Sequence, residues 1–532
     1  MERILIADKL APEGMEILLE AAAAGLLAVD ERVGMTPAEL VAAIGDYDAL
    51  IVRSASTVTA EVIAAARKLR VIGRAGIGVD NIDVGAATTR GIAVMNTPGG
   101  NNVTTAEHAI SMLLALARAI PQATASMKAG KWEKSKFTGS ELTNKTLGVV
   151  GIGNIGRLVA ERAQGLRMKV IAFDPFMNEQ KARELGVELV SLDALLRRAD
   201  FVSIHTPLLP ETRNLIDAAA LAKMKPTARL VNCARGGIVD EMALADALQN
   251  KRLAGAALDV FEQEPVAADH PLLKLDSVIC TPHLGAATAE AQVAVSVAIA
   301  EQIVDFLVNN VTRSAVNMPA ISAEQLEVLR PYLALGERLG SLQAQLLAEA
   351  PEEVTVEYAG DVAGLDVQPV TVAVLKGLLG RLLETSVVNY VNARELARDR
   401  GIKLIESKTS QPKGFTNSVT VRVRTAQKTS ESAGAVFGRD VIRLVKINGF
   451  HLEAVPEGFI VMLHNRDVPG VVGNVGMLLG ECKINIAGLQ LGREAVGGMA
   501  LSLVHVDERV PASVMARLRQ LPNIVSADLL EL

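Results

Sequence analysis

Leu147-Gly-Val-Val-Gly151-Ile-Gly153-Asn154-Ile155-Gly156 is an apolar run that opens directly into G-x-G-x-x-G. Ile155, Leu158, Val159, Ala163 and Leu166 then fall on one helical face, so the stretch reads as strand, tight turn, helix. The first glycine permits the turn, and the second lets backbone N–H groups approach a pyrophosphate. The third lets helix and strand pack closely, and the helix N-terminus favours the anion. Val170-Ile-Ala-Phe-Asp174 ends the next strand on a carboxylate. An acid there suits the ribose hydroxyls of NAD and repels the 2′-phosphate of NADP. Strand, helix and acid together lift the motif above a common glycine turn. Upstream, Gly76-Ile-Gly78-Val-Asp-Asn81 has Asn in place of the third glycine and is not a second dinucleotide site.

Working outward, short strands alternate with helical patterns on both sides of this motif. Candidates before it are Ile4–Ala7, Ala49–Val52, Val71–Arg74 and Ala93–Met95; after it come Phe201–Ile204, Leu230–Asn232, Ala256–Leu258 and Val278–Cys280. Such alternation predicts βαβ units, that is, two doubly wound parallel sheets in an α/β fold. An Ala/Val-rich helical stretch over 287–309 is long enough to run back onto the first domain, though spacing alone does not place it there. Asn317-Met-Pro319 and Pro456-Glu-Gly458 mark boundaries. Between them lies a mixed α+β segment without a nameable catalytic motif. Beyond 456 the order is βαββαβ, the ferredoxin-like signature.

At 532 residues the chain is too long for one core; a prior of roughly 150 residues per domain suggests about three or four. A net charge of −6 argues against a nucleic-acid partner. Three separated cysteines, Cys233, Cys280 and Cys482, form neither a disulfide framework nor a metal site. A reducing, cytoplasmic setting is the expectation. The first residues lack a signal-peptide plan, and no stretch is expected to approach the ~20 apolar residues of a membrane helix.

In an open α/β sheet, ligands bind beyond the carboxyl ends of the strands. His205-Thr206-Pro207 follow one strand, and Cys233-Ala234-Arg235 another. Asp259, Glu262 and Glu264 follow a third, and Thr281-Pro-His283 a fourth. Oxidising a secondary alcohol needs a base for the hydroxyl proton, and histidine's ordinary pKa suits the task. Of the seven histidines, three lie in the C-terminal half, His270 lies in a polar stretch and His108 within a helical pattern. His205 and His283 remain as candidates. Glu264 is placed to orient such a ring, and Arg235 to clamp a carboxylate bidentately.

His205-Thr-Pro, Asn232-Cys-Ala-Arg-Gly-Gly-Ile-Val-Asp240, Ala257-Leu-Asp-Val-Phe261, Glu264-Pro and Thr281-Pro-His-Leu-Gly285 resemble the D-2-hydroxyacid dehydrogenase family over most of 1–316. The resemblance selects Arg235, Glu264 and His283 as catalytic. It assigns cofactor contacts to Gly151, Gly153, Asn154, Ile155, Gly156 and Asp174. To these it adds His205, Thr206, Pro207, Cys233, Ala234, Arg235, Asp259, His283, Gly285 and Ala286. It also implies a discontinuous substrate domain, 1–98 plus 284–316, around a Rossmann domain at 99–283. Val52-Arg-Ser-Ala55, Gly73-Arg-Ala-Gly76, Met95-Asn-Thr-Pro98 and Ile120–Met127 through Lys131-Trp-Glu133 are similar to the long branch that oxidises 3-phosphoglycerate. By that likeness Arg53, Ser54, Arg74, Gly76, Asn101, Arg235 and His283 contact substrate. Ile77 departs from the Thr often found there. Residues 317–455 resemble an intervening domain, and 456–532 an ACT domain with Asp467 and Asn485 as contacts for an effector such as L-serine. The loop at Trp132–Lys134 resembles one that crosses a dimer, so a homodimer or homotetramer is implied. Two alternatives stay open: a relative acting on glyoxylate or hydroxypyruvate, and an NAD-sensing binding protein.

Overall fold

The computed structural model describes residues 1–309, 311–319, 321, 323–383, 388–412 and 414–532. The first sheet has five parallel strands: β1 (Glu2–Ile6), β2 (Leu27–Glu31), β3 (Ala49–Val52), β4 (Val71–Arg74) and β5 (Ala93–Met95). Their order is β2-β1-β3-β4-β5. Ile4, Ile6 and Ile51 feed one core and Leu5, Leu50 and Val52 another, because helices cover both faces. β2 is missing from the strand candidates above. It buries only Leu27, ends on Asp30-Glu31 and lies at the sheet edge, where charged, half-exposed strands are usual.

The helix Ala289–Val304 returns to this first sheet, so two stretches of chain build it. A Cβ on Gly73 of β4 would lie 2.9 Å from Ile299, and one on Gly14 would lie 2.6 Å from the Ser296 backbone. With Asp305–Asn309 this helix is, by length and composition, apolar enough to cross a membrane, contrary to the expectation that none is. Its packing on the first sheet, where Val295, Ile299 and Ile303 are buried, accounts for that apolarity.

The second sheet has seven parallel strands: β6 (Thr146–Val150), β7 (Lys169–Phe173), β8 (Glu188–Leu189), β9 (Phe201–Ile204), β10 (Arg229–Asn232), β11 (Gly255–Leu258) and β12 (Val278–Cys280). Their order is β12-β11-β10-β9-β6-β7-β8. Direction of winding reverses between β6 and β9, and the crevice for a ligand opens at that switch point. The helix Asn102–Arg118 packs on the same sheet through Leu113 and Leu116.

The third sheet is mixed: β13 (Glu353–Gly360), β14 (Lys403–Thr409), β15 (Asn417–Arg424), β16 (Thr429–Phe437), β17 (Val441–Ile447) and β18 (Phe450–Ala454), ordered β14-β13-β15-β16-β17-β18. Two helices, Ala323–Leu346 and Gln368–Leu382, lie against it. The fourth comprises β19 (Phe459–Arg466), β20 (Ile486–Arg493), β21 (Met499–Val506) and β22 (Ile524–Glu531), ordered β20-β21-β19-β22. With helices Val471–Glu481 and Ala512–Arg519 it completes the ferredoxin-like βαββαβ unit. These last two units share one core, in which Met462, Leu503 and Leu530 join Leu339 and Leu378.

Candidate active site

The loop after β6 gives each glycine a distinct job. Gly151 has φ +89, and a Cβ there would sit 2.7 Å from the His205 carbonyl oxygen. A Cβ on Gly156 would lie 2.0 Å from the Gly151 carbonyl oxygen, whereas one on Gly153 would meet nothing within 4 Å. The first and third are therefore demanded by packing of the chain on itself. The second leaves open space at the start of the helix Asn154–Gly165, where a pyrophosphate is favoured by free N–H groups and the helix dipole. Asp174 braces the loop: its carboxylate accepts from Ile152 N–H (2.9 Å) and Phe176 N–H (2.9 Å). Across the crevice, His205 Nδ1 and Thr206 Oγ1 are buried without a partner. Orphaned polar atoms beside an open glycine loop fit a dinucleotide whose groups would complete them.

At the ends of β11 and β12, Glu264 Oε2 lies 2.7 Å from His283 Nδ1. The side chains are 38% and 48% exposed respectively, so the pair stands at the mouth of the cleft. That bond to Glu264 raises the His283 pKa above its ordinary 6.5 against the opposing effect of burial. Burial favours the neutral acid at Glu264, but the bonds from His283 and from Phe261 N–H outweigh it and lower the pKa. The other candidate base, His205, is different. Burial pushes it down to about 4, and its Nε2 is engaged with Ser203 Oγ at 2.7 Å. A ring so hard to protonate is poorly matched to proton transfer near neutral pH.

Facing the dyad is a group of guanidinium ions. Arg74 at the end of β4 has its pKa lowered, first by burial and then by the nearby Arg235 and Arg53 cations. Arg235 is close enough to His283 to act on it electrostatically. Arg53 keeps Nε buried without a partner, while its backbone N–H donates to Asp8 (2.6 Å) and its Nη1 to the Lys9 carbonyl (3.1 Å). Gly76 and Gly78 let the cations in: a Cβ at either would lie 2.1 Å from Arg74 Nη1 or 2.0 Å from Arg235 Nη2. Three like charges held together call for an anion. Part of the charge is met by Asp80, whose Oδ2 accepts from Arg235 Nε at 2.9 Å. Asn101 adds a buried, unpartnered Oδ1, and Ser54 is exposed at the same loop as Arg53.

The remaining expected residues fall into place or apart from the site. Cys233 is buried, and burial raises its thiol pKa. Ala234 donates its N–H to Asn232 (3.0 Å) and accepts from Arg235. Gly285 is buried and Ala286 half-buried beside the dyad loop, and Pro207 is exposed. Asp259 is fully buried and accepts from Thr281, Leu284, Gly285 and His108. His108 and Thr105 were not among the expected residues. Their spacing with Met112 on one helix, all three facing the 281–285 loop, is the signal that would have found them. Far from this cleft, Asp467 accepts from Arg493 (3.1 Å) and Gly497 N–H, and Asn485 donates to Asp507 (2.7 Å). Both effector candidates thus have partners within the chain.

Comparison with known proteins agrees with this geometry. Residues 110–285 match the family described as D-isomer specific 2-hydroxyacid dehydrogenase, NAD binding domain, and residues 328–448 the D-3-phosphoglycerate dehydrogenase intervening domain. The chain is 44% identical to a D-3-phosphoglycerate dehydrogenase of Synechocystis sp., over 99% of this chain and 94% of that one. It is 42% identical to one from Archaeoglobus fulgidus, over 100% of both. Among solved structures, a glyoxylate reductase from Paecilomyes thermophila superposes with TM-score 0.55 and 30% identity, covering 59% of this chain and 98% of that one. The NAD-dependent formate dehydrogenase from Staphylococcus aureus in complex with NAD gives TM-score 0.52 and 31% identity over 57% and 95%. Glycine loop, dyad and doubly wound sheets define an NAD-dependent dehydrogenase of D-2-hydroxy acids. Within that class, the chain belongs to the D-3-phosphoglycerate dehydrogenase family.

Proposed function

We propose that the protein oxidises 3-phosphoglycerate at C2 to 3-phosphohydroxypyruvate, the first step of phosphorylated L-serine biosynthesis. The observation that carries this reading is the Arg53–Arg74–Arg235 cluster facing the Glu264–His283 dyad. A substrate with a carboxylate at one end and a phosphate at the other supplies the anions those cations need. Arg235 takes the carboxylate and polarises the developing carbonyl, while Arg53 and Arg74, with Ser54 and Asn101, hold the phosphate end. His283 accepts the C2 hydroxyl proton at Nε2, and Glu264 on Nδ1 stabilises the imidazolium that results. Gly151–Gly156 and Asp174 would hold NAD, which would supply the acceptor for the C2 hydride. Closure of the 1–98 plus 284–316 substrate unit on the 99–283 unit excludes water during transfer.

The remaining assignments follow the same reading. The protein works in the cytoplasm as a homodimer or homotetramer. The 317–455 and 456–532 units carry regulation, with L-serine as a candidate effector at Asp467 and Asn485. Support for assembly comes from the helix Ile120–Lys128, which buries none of its residues, and from Trp132, 81% exposed just beyond it.

The test compares kcat/KM for 3-phosphoglycerate with that for D-glycerate, at alkaline pH with the keto product trapped. A preference of 100-fold or more for the phosphorylated substrate is expected, and Arg74→Leu should remove most of it through KM. Equal use of both substrates would overturn the phosphate assignment.

A further inference from the structure

We propose that His108 is a positioning residue of the reaction, holding Asp259 so that the loop Thr281–Gly285 presents His283 in its working conformation. This deepens the dehydrogenase reading above and rests on it. His108 Nε2 lies 3.1 Å from Asp259 Oδ1 and 3.2 Å from Thr281 Oγ1. The same Oδ1 accepts from Thr281 Oγ1 (2.6 Å) and Leu284 N–H (2.7 Å), and Oδ2 accepts from Gly285 N–H (2.8 Å). Asp259 is 0% exposed, so no water replaces a donor that is lost.

The loop gathered on this carboxylate carries the dyad. His283 donates its own N–H to the Asp259 carbonyl oxygen (2.9 Å) and has φ +54. A non-glycine residue keeps that left-handed conformation only where its surroundings impose it, and such positions gather at functional sites. The constraints here are the hydrogen bonds on both sides of His283, and four of them end on Asp259. The helix Asn102–Arg118 provides the rigid backing. Its Thr105 Oγ1 donates to the Gly285 carbonyl (3.0 Å), and one turn further its His108 meets the carboxylate. Met112 Sδ lies 3.8 Å from Thr281 Oγ1, whose proton goes to Asp259. His108 is the member of this stripe that reaches the buried charge.

Without the His108 donor, the carboxylate is held only by Thr281, Leu284 and Gly285, and the loop can relax toward φ below zero, which moves the imidazole off the substrate hydroxyl. Arg53, Arg74 and the glycine loop are untouched, so most of the ground-state binding stays, although the 281–285 loop also carries the expected contacts His283 and Gly285. Loss is thus expected in kcat rather than KM, the mark of an interaction needed at the chemical step.

The experiment uses the full-length protein with His108→Leu and His108→Gln, the second placing an amide donor where Nε2 stood. Steady-state oxidation of 3-phosphoglycerate, reduction of phosphohydroxypyruvate and of glyoxylate, NADH affinity by fluorescence, and Tm are measured for each. His108→Leu should lose about 10-fold or more in kcat, with KM and NADH affinity within about 3-fold of wild type. His108→Gln should recover to within about 3-fold. Either an unimpaired His108→Leu, or equal loss in both variants with a collapse of Tm, would overturn the positioning role. A wild type inactive on every one of these substrates would instead overturn the dehydrogenase reading, and this inference with it.

Discussion

His283 and Glu264 set the pH behaviour of the reaction. A base must be neutral to accept the hydroxyl proton, so oxidation rises with pH through the His283 pKa. That pKa is held above 6.5 chiefly by the bond to Glu264, so the acidic limb of kcat/KM should lie above 6.5. Glu264→Gln removes the carboxylate and leaves burial, which lowers the pKa, so the limb should move to lower pH while turnover falls. Reduction needs the protonated ring and should decline with pH through the same limb. A profile for Glu264→Gln that superposes on wild type, measured over pH 5–10, would remove the carboxylate from this role. Arg235, Glu264 and the two candidate bases His205 and His283 were legible because their chemistry stands at strand ends along the sequence, and the family resemblance chose His283 between the two. His108 and Asp80 were not, since what matters is a partner 151 or 155 positions away. A histidine within a helical pattern looks like any other polar face until the loop it clamps is in place.

Among the elements, the βα turn at 151–156 makes the sharpest contrast. Gly153→Ala adds a methyl group to open space, so Tm should stay within about 2 °C while NADH binding weakens about 10-fold or more, because the added atom occupies the approach to the pyrophosphate. Gly156→Ala drives a Cβ onto the Gly151 carbonyl and should cost about 1–3 kcal/mol of stability as well. Thermal melts paired with NADH titration check both; a Gly153→Ala protein that binds NADH like wild type would contradict the cradle. This turn was plain in the sequence because strand, glycines, helix and acid are contiguous. β2 and β8 were not. β2 buries only Leu27, and β8, just Glu188-Leu189, is partly exposed or more throughout. Both lie at sheet edges, where burial leaves little periodicity to read.

For the whole molecule, the order of α/β, mixed and ferredoxin-like units was readable from the alternation of patterns. The shared core of the last two units was not, because it joins Leu339 and Leu378 to Leu503 and Leu530 across more than a hundred residues. Assembly has a convenient reporter in Trp132, the single tryptophan, which is 81% exposed in the isolated chain. If the arm that carries it docks on a second copy, emission of the assembled protein should be blue-shifted and shielded from acrylamide, and dilution to monomers should reverse both. Emission typical of free tryptophan in a confirmed oligomer would place the interface elsewhere. The central claim is that His283, backed by Glu264, performs proton transfer for oxidation of 3-phosphoglycerate by NAD. It is tested most directly by following NADH formation from 3-phosphoglycerate with wild type and His283→Ala, with NADH affinity measured alongside. Robust wild-type turnover that falls about 10²–10⁴-fold in the variant while NADH affinity holds is the predicted result. Turnover undiminished in His283→Ala, or absent from a wild type that binds NADH, would contradict it.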